Sequence, residues 1–280
     1  MPTSRPFVSA HPPSTPRRVL VTGAASGLGL ALVRELAARG DHVVATDLGP
    51  GRPAVLPDAA AYRQLDVRSE ADWEDARRDV AQRWGGLDVL VNNAGVAAGG
   101  RIDVTTMDDW RWIVETNLLG VVRGCRAFVP VFKDQGDGHI VNVASLAGLV
   151  HAPGMASYNT VKAGVVALSE TLSHELAPYG IAVSVVCPSF FRTNLHTSLR
   201  GADVELERSA VSMITTARRS AEHVAGKVVL GIDARRDVIL TDVDGRLVWW
   251  AKRHLRPVYR AAMRRAARDL ARGRSPRVPR

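Results

Sequence analysis

Residues 17–22, Arg-Arg-Val-Leu-Val-Thr, lead without a break into Gly23-Ala-Ala-Ser-Gly27-Leu-Gly29, and an apolar-periodic stretch follows over 30–38. A buried strand, a glycine turn and a helix are therefore expected in immediate succession. Glycines allow the tight turn and let backbone approach a pyrophosphate closely, while the new helix offers unbonded N–H groups and the positive end of its dipole. On this reading Gly23, Ser26, Gly27, Leu28 and Gly29 hold a dinucleotide. The spacing Gly-x-x-x-Gly-x-Gly departs from the Gly-x-Gly-x-x-Gly fingerprint, and taken alone it fits a glycine-rich cap as well.

The same alternation continues along the chain. Residues 42–46, 62–65, 87–91, 139–144, 181–187 and 238–241 read as strands, with helical periodicity between most of them. Repeated βα units imply an α/β fold, a Rossmann-like doubly wound parallel sheet covered by helices on both faces. With 280 residues and 46% hydrophobic content, one large core over 17–245 is the economical organisation. Ligands are then expected beyond the C-terminal strand edges, at a topological switch point. Asp47 closes the second strand eighteen residues after Gly29. A carboxylate there accepts hydrogen bonds from ribose hydroxyls and repels a 2′-phosphate; a turn aspartate before Gly49-Pro50-Gly51 is the plainer account. With no Lys or Arg in the glycine turn or in 46–51, NAD is expected rather than NADP.

Tyr158 and Lys162 stand four apart on an expected helix, on one face and about a turn apart. A fixed ammonium beside a phenol favours the phenolate. This spacing alone is common on helices and says little without its surroundings.

Those surroundings are Thr22-Gly23-Ala-Ala-Ser-Gly27-Leu-Gly29, Asn92-Asn93-Ala94-Gly95, Asn117, Ser145, Tyr158 and Lys162 in this order. Over about 19–242 the sequence closely resembles the short-chain dehydrogenase/reductase family in its single-domain form. The resemblance implies that Asn117, Ser145, Tyr158 and Lys162 are catalytic, with Lys162 lowering the tyrosine pKa and binding the nicotinamide ribose, and Asn117 holding a water that links Lys162 to solvent. It implies that Asp66 and Val67 hold the adenine, that Asn93, Ala94 and Gly95 lie against the cofactor, and that Pro188 and Thr193 shape the nicotinamide site. The family usually has Pro-Gly where this chain has Pro188-Ser189, a departure at a place where glycine-only backbone would exclude serine. It also implies a homodimer or homotetramer paired through the helices holding Asn117 and Tyr158. The activity implied is NAD-dependent interconversion of a secondary alcohol and a ketone. Apolar residues over 190–199 and Met213 suit a hydrophobic substrate, or simple core packing. His151 and His196 are assigned to solvent or packing rather than to catalysis. The alternatives are a cofactor-binding regulatory or scaffolding protein, against which the intact set of four residues counts, and a membrane-surface-associated dehydrogenase acting on lipid-like substrates.

Both ends lie outside the resemblance. The net charge of +9 is concentrated there: 246–280 carries +11 and 1–18 carries +3, leaving −5 for 19–245. Residues 1–16, with five prolines, are expected to be disordered, and those prolines spoil the amphipathic helix of a transit peptide. In the tail, Leu247, Trp250, Leu255, Val258, Ala262, Ala266 and Leu270 recur at roughly helical spacing among Arg and Lys, with Pro257 making a kink or break. Such a basic amphipathic helix suits a membrane surface, a lid over the active site, or a neighbouring subunit. Nucleic acid is not expected, because no interleaved aromatic platform accompanies the charge. The two cysteines, Cys125 and Cys187, fall in apolar segments and are expected to be buried thiols; no metal site is implied. No run approaches the roughly 18 apolar residues of a membrane span, and a soluble cytoplasmic protein is expected.

Overall fold

Seven strands form one parallel sheet in the order β3-β2-β1-β4-β5-β6-β7. They are β1 (Arg18–Thr22), β2 (His42–Asp47), β3 (Ala60–Gln64), β4 (Val89–Asn92), β5 (Gly138–Val143), β6 (Ile181–Val186) and β7 (Val238–Ile239). The structure is a computed structural model that describes residues 15–199 and 203–272; the expectation for the N-terminal segment falls, over 1–14, outside the described residues. The helices are α1 (Gly27–Ala38), α2 (Glu70–Trp84), α3 (Met107–Val114), α4 (Gly120–Gln135), α5 (Ala147–Val150), α6 (Ala156–Leu176), α7 (Val204–Thr215), α8 (Ala221–Asp233), α9 (Val243–His254) and α10 (Arg256–Ala271).

The strands read as continuous apolar runs because both faces of the sheet are covered. In β1, Val19 and Val21 face a core closed by Leu32 and Leu36 of α1 and Val224 and Val228 of α8. Leu20 points the other way, into a core built on Trp73 of α2, Phe128 and Phe132 of α4 and Val165 of α6. The period-two alternation of a strand thus feeds two helical layers.

Chain order reverses beside β1, which pairs with β2 on one side and β4 on the other. At that reversal the glycine turn after β1 and the loop after β4 leave the same sheet edge, where an open α/β sheet forms its ligand crevice. Both cysteines are buried free thiols. No helix among the described residues is long and apolar enough to cross a membrane.

Candidate active site

The glycine turn is held by contacts that leave no room for side chains. Gly23 (φ +64°) lies so close to the β4 loop that a Cβ would fall 2.7 Å from the Ala94 Cα, and a Cβ on Gly29 would fall 2.1 Å from the Gly23 carbonyl oxygen. Asn93 Nδ2 donates to the carbonyls of Thr22 (2.8 Å) and Gly23 (3.1 Å), and the backbone N–H groups of Asn93 and Ala94 both donate to Thr22 Oγ1 at 3.0 Å. Thr22 was not among the expected site residues; its signal was a hydroxyl closing an otherwise apolar strand. Ser26 caps α1 without a side-chain hydrogen bond, and the first turn carries no acid. That helix end fits the phosphates of a dinucleotide. Asp47 faces the same turn: its Oδ2 accepts from the Ala25 N–H and its Oδ1 from the Leu48 N–H, each at 2.8 Å.

Thr193 is brought to this turn from the far side, where a Cβ on Gly27 would fall 2.5 Å from Thr193 Oγ1. The Pro188 carbonyl accepts from the Leu146 N–H at 2.9 Å, which ties the loop after β6 to the segment carrying Ser145. Asp66 lies beyond β3, where its carboxylate is gripped by Arg68 at 2.7 Å. That hydrogen bond with Arg68 is the main reason its pKa lies below the ordinary carboxylate value. The Val67 carbonyl accepts from Trp73 Nε1 at 3.0 Å.

Tyr158 and Lys162 sit on one face of α6, the ammonium 5.8 Å from the phenol ring centroid. Ser145 meets them because α5 packs tightly on α6: a Cβ on Gly148 would fall 2.6 Å from the Lys162 carbonyl oxygen. Lys162 Nζ donates to the Val143 carbonyl at 3.0 Å. Burial pushes the Lys162 ammonium down to about 8 and the Tyr158 phenol up to about 12, the latter opposed by a hydrogen bond with the Ser145 side chain. The expected depression of Tyr158 by Lys162 is therefore not what this geometry produces. Both groups are desolvated, and desolvation penalises each charged form.

Asn117 is expected in mid-helix and instead sits in a π-helical turn, Glu115–Leu119, between α3 and α4. Such turns bulge a side chain out of the regular ladder. Its amide clamps the backbone of Val96, accepting from the N–H and donating to the carbonyl, each at 2.8 Å. A Cβ on Gly95 would fall 3.2 Å from Asn117 Oδ1 and 3.7 Å from Lys162 Nζ, so the glycine keeps the space between them open. The helix begins with a capping box between Thr106 and Asp109.

Ser189 does not occupy glycine-only backbone: among the described residues the non-glycine positions with positive φ are His151 and Arg235. Its hydroxyl donates to Asp242 Oδ2 at 2.6 Å, while Asp242 Oδ1 accepts from the Gly245 N–H at 2.7 Å and so caps α9. Burial raises the Asp242 pKa, and the Ser189 and Gly245 hydrogen bonds outweigh it, leaving the carboxyl below its ordinary value. Ser189→Ala is expected to cost about 1.5–3 kcal/mol, the worth of a hydrogen bond to a charged group, in urea unfolding. An unchanged midpoint would mean that the bond contributes nothing to holding the tail.

The tail folds back on the site. Lys252 Nζ donates to the Leu149 carbonyl and to His151 Nδ1 (2.8 Å), and Tyr259 donates its hydroxyl to the Val150 carbonyl. Leu206 of α7 and Leu270 of α10 converge on Gly154, where a Cβ would meet them at 2.9 and 3.1 Å. His151 is thus a bracket for the tail, and the His196 side chain lies outside the described residues. Phe191 packs on the core, as the plainer account of that apolar stretch had it. The single stripe expected in the tail is divided. The chain breaks at Leu255, ahead of Pro257 in the first turn of α10, because proline cannot continue a helical hydrogen-bond ladder. Ala266 and Leu270 turn inward half-buried, while Leu247 and Trp250 remain exposed.

A family profile described as short chain dehydrogenase matches residues 17–203. A 3-alpha-(or 20-beta)-hydroxysteroid dehydrogenase of Mycobacterium bovis is 38% identical over 178 residues, which cover 62% of this chain and 68% of that protein. A trans-4-hydroxycyclohexanecarboxylate dehydrogenase of Sinomonas cyclohexanicum is 36% identical over 194 residues, covering 65% and 74%. Among solved structures, a short chain dehydrogenase/reductase from Burkholderia phymatum in complex with NAD superposes with a TM-score of 0.76 at 29% identity, covering 95% of this chain and 98% of the other.

Proposed function

The chain belongs to the short-chain dehydrogenase family and is a nicotinamide-dependent oxidoreductase acting on CH–OH groups; from this we propose an NAD-linked enzyme that interconverts a hydrophobic secondary alcohol and its ketone. The reading is carried by the convergence of Ser145, Tyr158 and Lys162 at the sheet edge next to a turn with no room for a Cβ. Gly23, Ser26, Gly27, Leu28 and Gly29 would hold the pyrophosphate, Asp47 the adenosine ribose, Asp66 and Val67 the adenine. Asn93, Ala94, Gly95, Pro188 and Thr193 would complete the cofactor cradle. When bound, the nicotinamide supplies the carbon that gives or takes the hydride.

The protein's own part is positional and protonic. Ser145 donates a hydrogen bond to the substrate oxygen and fixes its distance from Tyr158. Tyr158 gives its phenolic proton to the oxygen in reduction and takes it back in oxidation. Lys162 binds the nicotinamide ribose and offers a positive charge beside the phenol, and Asn117 would hold the water that links Lys162 to solvent, in the space that Gly95 leaves open. The apolar convergence of Leu206 and Leu270 over Gly154, four residues before Tyr158, and the hydroxysteroid dehydrogenase among the relatives support a hydrophobic substrate. Residues 17–245 form the catalytic domain on this reading, with 246–280 as a basic tail, in a homodimeric or homotetrameric cytoplasmic enzyme.

The test is NADH formation across short, aromatic, long-chain and steroid secondary alcohols with NAD and NADP in parallel. Turnover with NAD on one hydrophobic class is the expected result; no turnover on any class with either cofactor would remove the reading. Asp47→Ser is expected to narrow the preference for NAD over NADP by about tenfold or more, since it removes a charge that repels a 2′-phosphate within the site. An unchanged ratio would take cofactor choice away from Asp47.

A further inference from the structure

We propose that the outer faces of α9 and α10 form a docking surface for an anionic lipid bilayer. The arginines of this chain fall into two populations. Most of those in the body pair with carboxylates, as in Arg17 with Asp41 and Asp233, Arg18 with Asp88 and Arg101 with Asp203, while others such as Arg34, Arg52 and Arg192 bond to backbone carbonyls. Between 246 and 272 there are eight arginines, and among the described residues none of them forms an ion pair. The body carries a net −5 over 19–245, yet no carboxylate of it pairs with a tail arginine among the described residues; Arg246 alone reaches back, donating to the Leu240 carbonyl at 3.2 Å.

Apolar side chains are exposed in the same place. Val243, Leu247 and Trp250 recur along one side of α9 at 64%, 60% and 52% exposure, and Leu255 and Val258 at the elbow are at 42% and 64%. The neighbouring Trp249 packs on the core, so one indole is used inside and the other is left in water beside the cations. This is the composition of an interfacial helix, with aliphatic and Trp side chains entering the headgroup boundary and arginines meeting acidic headgroups.

The presentation is fixed by the inward side. Asp242 caps α9, Lys252 and Tyr259 grip the carbonyls of Leu149 and Val150, and Leu270 rests over Gly154. The outer surface is therefore oriented, not free to collapse onto the body. Charge selects among occupants. A second copy would bring another strongly cationic tail against this one. A nucleic acid would use the arginines but leave Val243, Leu247 and Val258 in water. A bilayer with acidic headgroups uses both sets at once.

The experiment is sedimentation of the full chain with vesicles of phosphatidylcholine alone or mixed with phosphatidylglycerol, at low and high salt, beside a mobility assay on duplex DNA. Binding to the mixed vesicles at least about tenfold above phosphatidylcholine and weakened by salt is expected from charge attraction. The pair Leu247→Glu with Trp250→Glu and the pair Arg260→Glu with Arg264→Glu should each abolish it, with the thermal midpoint unchanged in both because none of these side chains is buried. Absence of vesicle binding overturns the proposal. So does vesicle binding that survives the Leu247/Trp250 change, above all if DNA is bound as tightly, since that would describe a polyanion patch without a bilayer requirement.

Discussion

Tyr158→Phe is expected to lower turnover by about 10²–10⁴-fold, the usual contribution of a positioned proton donor, while NADH still binds and the unfolding midpoint holds. The hydroxyl is the only group removed, and the change orphans no partner: Ser145 Oγ still accepts from the Ala147 N–H at 3.1 Å. The ring remains packed with its neighbours Ile113, Val161 and Leu118. Turnover retained to within a few-fold would take the proton transfer away from Tyr158, whatever became of the cofactor site.

The pH dependence of the parent enzyme bears on the same residue. A phenol pushed up to about 12 by burial is protonated through the neutral range, the form needed to give a proton to a ketone oxygen. Lys162, pushed down to about 8 by its own burial, is charged below that value and neutral above it. Ketone reduction should accordingly be flat below pH about 8 and fall above it, as the Lys162 charge that would hold the nicotinamide ribose is lost. Alcohol oxidation should rise with pH, since it needs the phenol to accept a proton. Stopped initial rates in both directions across this range would check the signs.

The parallel sheet and the places of the glycine turn, Ser145, Tyr158 and Lys162 were legible because each rests on local chemistry: apolar runs for strands covered on both sides, glycine where backbone must touch backbone, i,i+4 spacing on a helix. What was not legible depended on contacts between distant segments. Nothing local in Glu115–Leu119 announces a π turn, which answers to the Val96 backbone clamped by Asn117. The serine at 189 reads as a flaw in a glycine position until Asp242, more than fifty residues on, is seen to take its hydroxyl. The tail's apolar positions were visible as one stripe; that Trp249 faces inward and Trp250 outward follows from where Gly245 and Lys252 seat α9 against α5. The electrostatic reading erred for a related reason, since proximity of Lys162 to Tyr158 is a sequence fact but their common burial is a property of the assembled fold.

Gly29→Ala carries the second large effect and separates the glycine turn as a fold element from the turn as a mere flexible loop. Alanine is the better helix former, and Gly29 lies in the first turn of α1, so local propensity alone favours the substitution. Tertiary contact decides otherwise. The added methyl would lie 2.1 Å from the Gly23 carbonyl oxygen and 2.5 Å from Asn93 Nδ2, and the first of these is backbone that cannot rotate away. Relief requires α1 to withdraw from the turn, which strains the Asn93 bonds to Thr22 and Gly23 and moves the helix end from its place at the sheet edge. A loss of about 1–3 kcal/mol in chemical unfolding, the cost of overpacking a close contact, should accompany NADH affinity weakened at least about tenfold, since a 1.4 kcal/mol displacement already amounts to that factor. Gly226→Ala supplies the contrast: that glycine is inside α8 with nothing within 4 Å of the new methyl, and the same substitution there should raise stability by about 0.5–1 kcal/mol with NADH affinity untouched. If Gly29→Ala instead behaves like Gly226→Ala, the turn has slack that these contacts deny, and the close approach of backbone to pyrophosphate loses its structural basis.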